Sequence, residues 1–151
     1  TPAYLDNAQV VVVRGDSGFS KLSDIAGCVV GIQAGSSAQE AVDAAVEFKD
    51  SLKEIVEFSE NITALNDLQI GNLDAVVMDE VVASYNIAQS GRDFVILSES
   101  LAPEEYGIAF KKSNTELRDL VWTSLLEMEA DGTAASISEK WFGENKSVIG
   151  K

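Results

Sequence analysis

The chain has 151 residues, 46% of them hydrophobic, with 11 basic against 25 acidic side chains and no histidine, for a formal charge of −14. This is a globular composition, long enough for one ordinary domain. The charge repels phosphate backbones and speaks against nucleic acid as a partner, and the missing histidine removes imidazole-based triads, HExxH zinc sites and proton shuttles.

The first residues, TPAYLDNAQ, lack the basic start and apolar core of a signal peptide. They run almost directly into a strand, which reads as a cut end. The apolar runs Val10 to Val13 and Ala75 to Met78 are far too short to span a bilayer. Gln9 to Val13 is β-branched and closes on the turn cluster Arg14-Gly15-Asp16. Leu22, Ile25 and a stop at Gly27 predict a short helical turn. Cys28 to Gln33 is a buried-type strand ended by Ala34-Gly35, and Cys28 reads as a core thiol, since a single cysteine excludes both an internal disulfide and a CxxC metal site. Ser37 with Glu40 has capping-box spacing ahead of a helix carrying Ala41, Val42, Ala45 and Val46.

Glu54 to Phe58 is a further strand. Asn61 is placed to cap a helix through Ile62, Leu65 and Leu68, stopped by Gly71. Asp74 to Met78 is another buried strand, with Asp79 where the next helix must begin, and Asp93 to Leu97 is a strand again. This rhythm predicts an α/β domain with a mostly parallel sheet. After Pro103 come a strand over Tyr106 to Phe110, a helix opened by Ser113 and Glu116, and a last helix from Thr133 holding Ile137, Trp141 and Phe142. The apolar faces of these two helices need a surface that the preceding segments, already one domain's worth, do not supply.

In open parallel sheets, ligands sit beyond the carboxyl ends of strands. Two such ends carry polar groups here. Ala34-Gly35-Ser36-Ser37 combines a glycine, two hydroxyls and a helix start, which favours an anion. It lacks the lysine of a phosphate loop, and on the residues alone an ordinary turn in which Ser37 and Glu40 cap the helix is the better account. Asp79 can receive an ammonium group, cap the following helix, or do both. Together the two ends suit a small zwitterion. Tyr85, Tyr106, Trp122, Trp141 and Phe142 read as packing residues, and the acidic Glu99, Glu104 and Glu105 as solvated surface.

The order of motifs resembles the family 3 extracellular solute-binding proteins, the amino-acid receptors of ABC transporters. The carrying segments are PAYLDNAQVVVV, LSDIAGCVVGIQAGSSAQE, LQIGNLDAVVMDEVVASYNI, EEYGIAFKKSNTELRDLV and DGTAASISEKWFG. The resemblance implies a type II periplasmic-binding-protein fold, in which two α/β lobes joined by hinge strands close on a ligand. Residues 9–101 then correspond to the complete lobe two. Residues 1–8 and 102–106 correspond to the hinges, with a remnant of lobe one in the first, and 107–151 to the C-terminal remnant of lobe one. By the same resemblance Ser36 and Ser37 match the hydroxyl positions that contact a ligand α-carboxylate, Asp79 the aspartate that holds the α-ammonium, and Gln33 a position that touches the ligand side chain. Gly35 belongs to the same loop.

The family's opening lobe, with its aromatic wall and carboxylate-clamping arginine, has no counterpart before Thr1, so an N-terminally truncated receptor with weak or absent affinity is expected. The resemblance further implies an amino-acid ligand, an ABC permease as partner of the parent protein, and a periplasmic or cell-surface location, lipid-anchored or free. No cofactor and no catalysis are called for. The alternatives are a fragment that self-associates through its C-terminal helices as a homo-oligomer, or a dehydratase-like enzyme on the same fold.

Overall fold

The run of valines after Gln9 alternates its side chains between two faces, and each face acquires its own core. The computed structural model describes residues 1–151. In it, β1 (Leu5–Arg14) sends Val11 and Val13 to one cluster, with Ile25, Val30, Ile32, Val42 and Val77, and sends Val10 and Val12 to the other, with Leu65, Leu68, Val76 and Met78. A strand covered on both sides has no room for polar alternation, which is why it reads as an unbroken apolar run. Full burial of each such side chain stabilises by about 1.5–3 kcal/mol.

After a 3₁₀ turn at Leu22–Ile25 the elements are β2 (Val29–Gln33), α1 (Ser37–Ala44), α2 (Val46–Ser51), β3 (Glu54–Phe58), α3 (Asn61–Gln69), β4 (Ala75–Asp79), α4 (Glu80–Ser90), β5 (Phe94–Tyr106), α5 (Thr115–Ala130) and α6 (Thr133–Phe142). The sheet order is β3-β2-β4-β1-β5. The expected parallel arrangement holds for β2 with β3 and for β2 with β4, but β1 runs antiparallel to β4, so the sheet is mixed. The reason lies in the connections. Helices return the chain between β2, β3 and β4, whereas only a loop with one short turn joins β1 to β2.

Several boundaries differ from the sequence expectations. The single helix expected after Ser37 breaks at Ala45 (φ −86°, ψ 67°) into α1 and α2. The strand expected over 93–97 continues to Tyr106 through Pro103. Because β5 lies at the edge of the sheet, the missing proline N–H leaves no central ladder position empty. The strand expected over 106–110 is absent. Instead the Thr1 ammonium donates to Ile108 O (2.8 Å), and Ile108 N donates to Thr1 Oγ1 (3.0 Å).

The chain divides into two compact units, Ala8–Pro103 and Thr1–Asn7 with Glu104–Lys151. In the second, Tyr4 N donates to Tyr106 O, Asp6 N to Lys146 O and Val148 N to Tyr4 O, so both ends of the chain are laced together. Helix α5 buries no residue completely, and Leu117, Leu120, Leu126, Ile137 and Trp141 are exposed on α5 and α6.

Candidate functional site

Parallel pairing of β2 and β4 brings their carboxyl ends to one edge of the sheet. Gln33 closes β2 and Asp79 closes β4. The loop Ala34–Ser36 and the start of α1 follow Gln33 directly, so Gln33, Gly35, Ser36, Ser37 and Asp79 gather at the same end of the Ala8–Pro103 unit.

Gly35 turns the chain with φ +67°, a conformation other residues resist. The N-cap of α1 is Ser36, not Ser37, and no side-chain cap forms. The expected Ser37–Glu40 box is absent because both hydroxyls have other partners. Ser36 Oγ donates to Gln33 O at 2.7 Å, while Ser37 Oγ accepts from Gln9 Nε2 at 3.1 Å. A serine hydroxyl has one hydrogen to give and two lone pairs to receive with. Ser36 has given its hydrogen to the backbone; Ser37 still has its own. At the first two helical positions, Ser37 and Ala38 have backbone N–H groups with no carbonyl four residues back inside the helix, and the helix dipole adds a partial positive charge there.

Gln33 is held at both ends of its amide. Its Nε2 donates to Ser59 O (3.1 Å) and its Oε1 accepts from Asn61 Nδ2 (3.0 Å). Asn61 was expected to cap α3, but Glu60 takes the N-cap position and Asn61 is spent on Gln33. Gln39, unnoticed in the sequence, accepts from Gly35 N at 2.6 Å and donates to Glu57 Oε1 at 3.1 Å.

Asp79 does cap its helix, its Oδ1 accepting from Val82 N at 3.4 Å. That bond is long for a cap. Asp79 is half-buried at the strand end, and a carboxylate is the chemistry that receives a cation. The site therefore offers a donor hydroxyl and a helix start on one side and a carboxylate on the other. No group of His, Cys, Asp or Glu is disposed to hold a metal ion.

The sequence pattern described as "Bacterial extracellular solute-binding proteins, family 3" matches residues 1–144. The chain belongs to this family. Among family 3 relatives, the L-cystine-binding protein TcyJ of Escherichia coli is 29% identical over 144 residues, covering 95% of this chain and 53% of its own length. The lysine/arginine/ornithine-binding periplasmic protein of E. coli is 28% identical over 149 residues, covering 94% of this chain and 56% of its own length. An ABC uptake transporter substrate-binding protein from Streptococcus pneumoniae, solved with bound histidine, superimposes with a TM-score of 0.82 at 29% identity, covering 98% of this chain and 62% of that one. The chain spans about half the length of the curated relatives it matches. Its α/β fold is that of the periplasmic-binding-protein-like structures, and the family's members are solute-binding proteins of transport, not enzymes. No helix is long and apolar enough to cross a membrane.

Proposed function

We propose that the strand-end site of the Ala8–Pro103 unit binds the main-chain groups of a free L-amino acid, and that the protein serves as the solute-binding component of an amino-acid ABC importer. One observation carries this reading: a hydroxyl that keeps its hydrogen, at a helix start, shares one end of the sheet with the half-buried carboxylate of Asp79. Ser37, with Ser36 and Gly35, faces the α-carboxylate, and Asp79 takes the α-ammonium. Gln33, fixed by Ser59 and Asn61, presents an immobile amide to the ligand side chain. Residues 9–101 act as the ligand-binding lobe, 1–8 and 102–106 as hinges, and 107–151 as part of the other lobe; the unit boundaries near Asn7 and Pro103 support that division. The importer's permease is the partner, the location is extracytoplasmic, and no bond is made or broken.

Titration of isotope-labelled protein with millimolar L-histidine and L-arginine tests the site. Backbone amides over 35–38 and 79–82 are expected to shift. Histamine and agmatine, which lack the carboxylate, are expected to leave 35–38 unmoved. Shifts scattered elsewhere, or identical responses to the amino acids and their decarboxylated forms, would refute the assignment.

A second reading is favoured by the exposed apolar side chains Leu117, Leu120, Leu126, Ile137 and Trp141, which are of the kind that drives association. In it a second copy covers α5 and α6 and the protein is a homo-oligomer. Light scattering at micromolar concentration would then give a multiple of 16.1 kDa, and a clean monomer would exclude it.

A further inference from the structure

Gln9 is a polar residue in a place built for apolar ones. It lies in β1 directly before Val10–Val13, and its side chain is 0% exposed. A buried amide costs free energy unless it is hydrogen-bonded, and a strand closed on both faces would ordinarily hold valine or isoleucine there. Two facts place it at the strand-end site. Its Nε2 donates to Ser37 Oγ at 3.1 Å, and in the antiparallel ladder Gln9 is the register partner of Asp79.

The direction of the Ser37 bond matters. With an N–H filling one lone pair from inside the protein, the Ser37 hydroxyl is left to point its own hydrogen away from the core. Ser37 is exposed, so that hydrogen reaches a solute. Ser36 has no such support and gives its hydrogen to Gln33 O. An apolar residue at position 9 would leave the Ser37 hydroxyl free to rotate, and a ligand carboxylate would have to order it.

We infer that Gln9 is a positioning residue, which orients the Ser37 hydroxyl as a donor toward the ligand carboxylate without touching the ligand. This rests on the amino-acid reading above. It separates the two halves of the site: Gln9 serves the carboxylate half through Ser37, while the ammonium half, at Asp79, is held by its own strand and helix.

The experiment titrates wild type, Gln9→Met, Ser37→Ala and the double variant with L-histidine and with histamine, by amide shift. Methionine matches glutamine in length and removes the donor. The dissociation constant for L-histidine is expected to rise about five- to tenfold in Gln9→Met, the worth of one hydrogen bond. Histamine affinity should stay level, and the double variant should bind L-histidine no more weakly than Ser37→Ala does. Equal losses for L-histidine and histamine, or losses that add in the double variant, would reduce Gln9 to a core residue and leave the amino-acid reading standing. Wild type that binds neither probe would overturn both. Should Gln9→Met not fold, the Gln9 side-chain amide of wild type decides. It is expected to exchange slowly and to shift in Ser37→Ala, whose substitution is at an exposed position. Fast exchange or an unmoved resonance would overturn the inference.

Discussion

Asp79 caps α4, and under the proposed function it also holds an ammonium, two tasks that differ in what they ask of the carboxylate. Capping α4 needs only an acceptor oxygen, and the 3.4 Å bond to Val82 N is a weak example. Holding an ammonium needs the charge. Asp79→Asn keeps the acceptor, so its urea midpoint should stay near wild type while the shift response to L-histidine disappears. Asp79→Ala should lose both, with a stability cost at the low end of the cap range, about 0.5–1 kcal/mol. Unchanged binding in Asp79→Asn would remove Asp79 from the site. The capping role of Asp79 was legible in the sequence because one residue type at one strand–helix junction leaves few options. Asn61 shows the limit of that logic. It has cap chemistry at a helix start, yet the Gln33 amide from a neighbouring strand competes for its side chain, and no local pattern reveals such a competitor. Gln9 escaped for a related reason, since a polar residue opening an apolar run looks like the exposed end of a strand. Cys28 is buried, as a lone cysteine opening an apolar strand suggests, and burial, reinforced by the Asp74 charge, pushes its pKa up.

At the scale of elements, period and punctuation located nearly every strand and helix, because most strand cores are rich in β-branched residues with Gly, Asp or Asn close to their borders. Boundaries failed where contacts distant in sequence decide them. The strand through Pro103 continues because it lies at the sheet edge, and edge position is a property of the sheet order, not of the local residues. The antiparallel placing of β1 beside β4 is likewise a property of the sheet order, which the local residues do not carry. Gly31 illustrates packing that the sequence conceals, sitting in the middle of β2 where glycine ordinarily weakens a strand. A Cβ there would stand 2.6 Å from Leu73 Cδ1 and 3.2 Å from the Phe58 ring, with Ala64 of α3 close behind. Gly31→Ala should therefore destabilise by about 1–3 kcal/mol through overpacking, read as a lower urea midpoint at unchanged slope. A variant as stable as wild type would mean that Leu73 and α3 yield without cost. The strand-end site depends on this contact, since the same helix carries the Asn61 that pins Gln33.

At the scale of the whole chain, the unit formed by Thr1–Asn7 with Glu104–Lys151 is assembled from both ends, and ionisation helps fasten it. Glu129 accepts from Ser147 Oγ at 2.6 Å and pairs with Lys151 Nζ at 3.2 Å. The Ser147 hydrogen bond, and after it Lys151, hold the Glu129 carboxyl below the usual glutamate range against partial burial. A depressed folded-state pKa contributes stability above the unfolded value and loses it as pH falls through the folded one. Amides of residues 147–151 should therefore lose protection, measured against their intrinsic exchange rates, as the pH drops below the ordinary carboxylate range, and Glu129→Gln should abolish that dependence. An unchanged acid profile in the variant would assign the loosening to other carboxylates. The continuity of Ala8–Pro103 has a consequence for the order of events during synthesis. That stretch is complete once its last residue has left the ribosome, and the pairings of β2 with β3, β2 with β4 and β1 with β4 over residues 9–13 all lie inside it. The other unit cannot close until Ser147 and Val148 arrive to meet Leu5 and Tyr4. A loop that long closes late, so the strand pairings inside Ala8–Pro103 form before residues 4 and 5 meet residues 147 and 148.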